Sequence, residues 1–158
     1  MAAASDRSKP SAYLDGLRLL ARRERSVEEV RARLLDRDHP REEVEAALAH
    51  LLETGALDDA RVAREAARTA LSVKGRGRLR VERELVARGI ARDVVAQAVG
   101  DVFGSADERA LIARALQKKL RGKRIASTAD AARLYQFLLR QGFTPAAVSD
   151  ALRASRRS

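Results

Sequence analysis

The sequence predicts an all-α protein built as an elongated tandem array of three three-helix repeats. Three observations carry that prediction. The chain has 158 residues, of which 46% are hydrophobic but only 3% aromatic, with no tryptophan. A core drawn from Leu, Val and Ala suits helix-on-helix packing better than a β-sandwich. Apolar residues recur at helical spacing and no segment of real length alternates with period two, so no sheet is expected. One pattern of apolar residues around a turn also occurs three times.

The repeat is visible when VRARLLDRDHPREEVEAAL from Val30, VERELVARGIARDVVAQAV from Val81 and LYQFLLRQGFTPAAVSDAL from Leu134 are set side by side, at offsets of 51 and 53 residues. Before the turn, Val30, Val81 and Leu134 align, then Leu34, Leu85 and Leu138, then Leu35, Val86 and Leu139. After it, Val44, Val95 and Val148 align, then Ala47, Ala98 and Ala151, then Leu48, Val99 and Leu152. The spacing is helical on both sides of the break. Gly89 and Gly142 stand where a helix ends in the left-handed conformation, and Asp38 takes that place in the first copy. The next helix starts at Pro40, Ala91 and Thr144. His39, Ile90 and Phe143 stand just ahead of those starts, in position for a hydrophobic staple on Val44, Val95 and Val148; histidine is a poor residue for that role.

Residues 1–11 read as a disordered N-terminal tail. The first repeat, 12–55, opens with a helix over Tyr13–Arg23, and Ser26 begins the second helix with Glu29 at the capping-box position. In the second repeat, 56–104, Asp58 caps a helix of about 59–72, with Leu57 and Val62 as a staple. In the third, 105–154, Ser105 caps about 106–120 and Thr128 starts the next helix; Thr144 followed by Pro145 is an N-cap and first-turn pair. Residues 155–158 read as a basic tail. The connections Val73–Gly77 and Gly122–Ser127 are basic and contain glycine, and are expected to let the units shift. A unit of this size buries only about 60% of its chain surface, so neighbours should stack and share apolar contacts.

The charge balance is 32 basic against 22 acidic residues, a net +10. It is uneven: residues 1–55 carry −1, 56–104 carry +3 and 105–158 carry +8. Genome composition accounts in part for arginine over lysine, but not for where the charge lies. The gradient points to a polyanionic partner. The absence of cysteine excludes disulfides, thiolate metal sites and a cysteine nucleophile. No signal-like stretch opens the chain and no window approaches a membrane span, so a cytoplasmic protein without membrane contact is expected. A monomer is expected too, for lack of a long exposed apolar heptad.

Little supports an enzyme. His39 and His50 have no serine nucleophile or ligand spacing nearby and read as turn or surface residues. The pairs Glu28–Glu29, Glu42–Glu43 and Asp58–Asp59 fall in helix first turns, where they complement the macrodipole. Gly75-Arg76-Gly77 is too short for a dinucleotide fingerprint, and Gly122-Lys123-Arg124 lacks the rest of a phosphate loop. No cofactor or metal is expected.

The basic clusters are the candidate site. Lys74, Arg76, Arg78, Arg80 and Arg83 surround the start of the fifth helix. Lys118, Lys119, Arg121, Lys123 and Arg124 crowd the end of the seventh, and Arg133 and Arg140 on the eighth complete the set. The helix dipole explains Lys118 and Lys119 but fades over the rest of that run. Such residues contact phosphates without reading sequence. Phe137 reads as core, and Tyr135 as partly exposed.

LDDARVA (Leu57–Ala63), KGRGRLRVERELVARGI (Lys74–Ile90) and RLYQFLLRQGF (Arg133–Phe143) resemble the RecX family of recombinase regulators, over about residues 12–154. Val62 and Arg76 depart from it, standing where aromatic residues are frequent. The resemblance implies binding to RecA–DNA filaments in the helical groove, across neighbouring protomers. It also implies inhibition of the recombinase's ATP hydrolysis, strand exchange and co-protease activity, with nucleic acid met through the filament and weakly by the protein alone. The alternative is a stand-alone helical nucleic-acid-binding protein, with Leu85–Val95 and Leu138–Val148 read as helix-turn-helix junctions.

Overall fold

The computed structural model describes residues 9–158, so most of the expected tail, residues 1–8, lies outside the described residues. Among the described residues the chain is helical throughout, with no strand. In order run α1 (Ala12–Arg22), α2 (Val27–Asp36), α3 (Arg41–Glu53), α4 (Asp59–Thr69), α5 (Arg78–Ala87), α6 (Arg92–Phe103), α7 (Glu108–Leu120), α8 (Thr128–Gln141) and α9 (Pro145–Arg157). A π-helical turn, Ala70–Lys74, continues α4. The last helix runs through Arg157, into the stretch read as a basic tail. The chain divides into two compact units, one ending at Val62 and the other spanning Ala63–Ser158.

The same chain reversal occurs three times, with matching hydrogen bonds. Asp38, Gly89 and Gly142 all have positive φ, at 61°, 84° and 100°. The N–H of the next residue reaches back to the helix each time: His39 to the Leu34 carbonyl, Ile90 to Leu85 and Phe143 to Leu138, each at 3.3 Å. With the shorter bonds from Asp38 to Leu35, Gly89 to Val86 and Gly142 to Leu139, this is a Schellman close. The aligned apolar positions behave alike as well. Val30, Val81 and Leu134 are buried, as are Leu34, Leu85 and Leu138, Val44, Val95 and Val148, and Leu48, Val99 and Leu152.

In the first unit α1 and α2 both pack on α3. Leu19, Val30, Leu34, Val44, Leu48, Leu51 and Leu57 form its core. The Ser26–Glu29 capping box is present in full. Asp58 caps α4 through the Arg61 N–H at 3.0 Å, and Leu57 and Val62 are both buried.

His39 lies in the turn between α2 and α3, as read, but the structure corrects the surface part of that reading. It is only 5% exposed because it occupies the slot that Ile90 and Phe143 fill in the other copies. A polar ring is tolerated there because it has a partner: His39 Nε2–H donates to Asp15 Oδ2 at 2.7 Å. Arg37 donates to Asp15 Oδ1, also at 2.7 Å. The His39 hydrogen bond, aided by Arg37, holds the Asp15 carboxyl below the usual carboxylate range against the opposing pull of burial. His50 is exposed and stacks on Tyr13, ring centroids 4.3 Å apart.

In the second unit α5 packs on α6, and α7 and α8 pack on α9. Ile112, Leu116, Leu134, Leu138, Phe143, Val148 and Leu152 form one core there. Phe137 and Tyr135 are half-buried against it. Two caps differ from expectation. Asp107, not Ser105, caps α7, accepting from the Ala110 N–H at 3.3 Å; a carboxylate at the N-cap also meets the positive end of the helix dipole. Thr144 makes no side-chain cap. Its hydroxyl donates instead to Glu108 Oε2 at 3.0 Å, and its N–H to Oε1 at 2.7 Å, tying the start of α9 to the start of α7.

The 73–77 connection is held rather than loose. Arg76 N–H donates to the Ala70 carbonyl at 3.0 Å, closing the π-helical turn. Gly77 N–H donates to Gln141 and Leu79 N–H to Gly142, at 2.8 and 3.1 Å. The start of α5 is thereby joined to the end of α8.

Candidate functional site

One member of the first basic cluster, Lys74, and two of the second, Lys118 and Lys119, line one cleft of about 330 Å³ in the second unit. Its walls are the π-helical turn, one stripe of α7 and the C-terminal half of α8. From α7 come Leu111, Arg114, Ala115, Lys118 and Lys119, spaced i, i+3, i+4, i+7 and i+8, which places them on one helix face. Ile112 and Leu116, turned to the neighbouring face, are buried in the core. The turn supplies Leu71, Val73 and Lys74, and α8 supplies Phe137 and Gln141. Gln141 also accepts the Gly77 N–H through its carbonyl, so one residue of the cleft wall takes part in the backbone pairing that joins α5 to α8.

The structure separates the predicted basic residues into groups. Lys74, Lys118 and Lys119 line the cleft, and all three are exposed. The Lys119 ammonium lies 4.7 Å from the centroid of the Phe137 ring, a cation–π distance. Arg133 and Arg140 are exposed and border an adjoining open hollow that shares Lys119 and Phe137. Arg133 also makes a loose pair with Asp130 at 3.5 Å. Arg121, Lys123 and Arg124 are exposed in the loop after α7, with Arg121 itself left-handed at φ 50°.

Most of the first cluster is engaged. Arg76 and Arg80 both pair with Glu84, at 3.1 and 2.9 Å. Arg78 pairs with Glu82 at 3.4 Å. Burial works to raise the Glu84 carboxyl, but the Arg80 hydrogen bond and the charges of Arg76 and Arg80 outweigh it and hold the group below the usual carboxylate range. Arg83 is exposed. Reading cations by their density along the chain missed this local neutralisation by acids one or two turns away.

Arg114 went unpredicted. It lies four residues before Lys118 on the α7 face that lines the cleft, and that spacing was the signal that could have found it. Among the described residues no cluster of His, Cys, Asp or Glu could hold a metal. No helix among them is long and apolar enough to cross a membrane.

Fold and surface define a class: a helical protein of repeated three-helix units, with the cations of separate repeats gathered around one apolar cleft. Residues 12–51 match the first three-helix domain of RecX, and residues 58–99 match the second. The chain is 33% identical over 150 residues to the Regulatory protein RecX of Pelodictyon phaeoclathratiforme, covering 94% of this chain and 91% of that one. It is 37% identical over 129 residues to the Regulatory protein RecX of Halorhodospira halophila, covering 81% and 78%. The chain belongs to the RecX family of regulatory proteins. Among solved structures, RecX from Lactobacillus salivarius shares the fold with a TM-score of 0.76 at 17% identity, over 93% of this chain and 96% of that one. A second crystal structure, of a regulatory protein RecX, does so with a TM-score of 0.78 at 22% identity, over 90% and 71%.

Proposed function

We propose that this protein is a non-enzymatic, monomeric, cytoplasmic regulator that binds RecA–DNA filaments in the helical groove and inhibits recombinase, ATPase and co-protease activities. Family membership supports the reading. The observation that carries it is the meeting of Lys74 with Lys118 and Lys119 at one cleft, which gathers positive charge from two repeats against a polyanionic partner. The loop cations Arg121, Lys123 and Arg124, with Arg83, Arg133 and Arg140, extend that surface; Arg76, Arg78 and Arg80 join it when a stronger anion displaces Glu82 and Glu84. The functional units are the three repeats 12–55, 56–104 and 105–154. Such a regulator acts by binding one filament state better than another, since only a difference in affinity shifts an equilibrium.

The test is ATP hydrolysis by assembled recombinase filaments titrated with this protein, beside a gel shift on bare DNA. Loss of turnover at substoichiometric amounts, with weak binding to bare DNA, is expected, and the double charge reversal Lys118→Glu/Lys119→Glu should blunt it. Unchanged turnover together with tight binding to bare DNA overturns the proposal and identifies a stand-alone nucleic-acid-binding protein.

A further inference from the structure

The cleft is more than a cationic patch. Its floor is apolar, formed by Leu71, Leu111, Ala115 and Phe137. At its rim Val73 stands 75% exposed, well above the other exposed large hydrophobics, Leu14 and Leu52. The π-helical turn that carries Val73 is pinned at its far end by the Arg76–Ala70 hydrogen bond, so the valine is held out by a fixed backbone. π-helical turns of this kind occur frequently at functional sites. Among the described residues no carboxylate lines the cleft, whereas Lys74, Arg114, Lys118 and Lys119 do. None of those four has an ion pair among the described residues.

A nucleobase is a poor fit to this arrangement. Stacking needs an open aromatic face, and the one aromatic ring in the lining among the described residues, Phe137, carries the Lys119 ammonium 4.7 Å from its centroid. The remaining floor is aliphatic, and at about 330 Å³ the space is at the small end of ligand sites. Aliphatic walls take apolar side chains, and the ring of cations takes carboxylates beside them. We infer that the cleft binds a short acidic peptide segment of a partner protein, seating one or two bulky apolar side chains against Leu71, Val73, Leu111 and Phe137 while flanking carboxylates pair with Lys74, Arg114, Lys118 and Lys119. The inference deepens the regulator reading, on which its biological setting rests, by assigning part of the contact to protein rather than phosphate.

The test uses the full chain and no recombinase. A fluorescein-labelled peptide of alternating Glu and Asp around a central Leu-Phe pair is titrated by anisotropy, beside the same peptide with Ser-Ser at its centre and an oligothymidylate of equal charge. The Leu-Phe peptide should bind about tenfold more tightly than the Ser-Ser peptide, the effect of one buried apolar side chain. Val73→Ser, an exposed change that leaves the fold intact by circular dichroism, should remove most of that preference and leave oligothymidylate binding unchanged. Lys118→Glu/Lys119→Glu should weaken all three ligands. Equal binding of the two peptides overturns the inference, and so does a Val73→Ser variant that loses oligothymidylate affinity as much as peptide affinity. Filament ATP hydrolysis with the wild-type chain separates the two ideas. Peptide binding without inhibition sinks the regulator reading alone, and inhibition without apolar selectivity sinks the cleft assignment alone.

Discussion

Gly77 and Gly142 meet backbone to backbone. A Cβ on residue 77 would lie 2.4 Å from the Gly142 carbonyl carbon, and a Cβ on residue 142 would lie 2.5 Å from the Arg80 Cβ. Gly77 has φ −80° and ψ 160°, which any residue adopts, so its requirement is one of space. Gly142, at φ 100°, is required on both counts. The pair lets the start of α5 approach the end of α8 closely enough for two backbone hydrogen bonds.

Gly77→Ala should therefore destabilise the second unit by about 1–3 kcal/mol, as overpacking does. Gly100→Ala supplies the opposite sign. That glycine lies in α6 with nothing within 4 Å of an added Cβ, so alanine should stabilise by about 0.5–1 kcal/mol. Urea midpoints for the two variants check the contrast; equal effects would mean that the close approach at residue 77 costs nothing to relax.

Asp15 makes the first unit acid-sensitive. Its carboxyl is held low in the folded protein, chiefly by His39. It thus contributes stability above its unfolded value of about 3.9 that is lost as pH falls through the lower folded value. Asp15→Asn should cost about 1–3 kcal/mol at neutral pH by weakening buried hydrogen bonds. Thermal melts from neutral pH downward should show the gap between wild type and variant closing only below about pH 4. A gap constant to the lowest pH would remove Asp15 as the source.

Asp38 carries the backbone strain that glycine relieves in the other two copies. With φ at 61° in the position of Gly89 and Gly142, Asp38→Gly should stabilise the first unit by up to about 1 kcal/mol. Chemical denaturation reads the shift, and a loss of stability would show that the Asp38 side chain contributes more than its backbone costs.

Glu84 restrains two arginines. Glu84→Gln should leave Arg76 and Arg80 freer for phosphate and raise affinity for a labelled single-stranded oligonucleotide about two- to fivefold at low salt, the size of an exposed ion pair. The dependence of log K on log salt should steepen by up to about 0.7 per arginine recruited. An unchanged slope would place both arginines away from the nucleic acid.

Much of the fold was legible because it is local. Apolar spacing around Val30, Val81 and Leu134 marked the buried faces, and the Asp38, Gly89 and Gly142 positions marked the reversals, since a helix stop is written in a few adjacent residues. The α7 cap was misplaced by two residues because Ser105 and Asp107 are both good caps, and the sequence alone did not choose between them.

What the sequence by itself determined is helix content, the threefold pattern, the turn conformations and the rise of positive charge along the chain, all of which depend on neighbours within a turn or two. Tertiary structure alone decided three things: that His39 is buried on Asp15, that Thr144 serves Glu108 instead of its own helix, and that Lys74 lines the same cleft as Lys118. Each is a contact between residues remote in sequence, set by which helix faces pack together, and no local spacing rule records that.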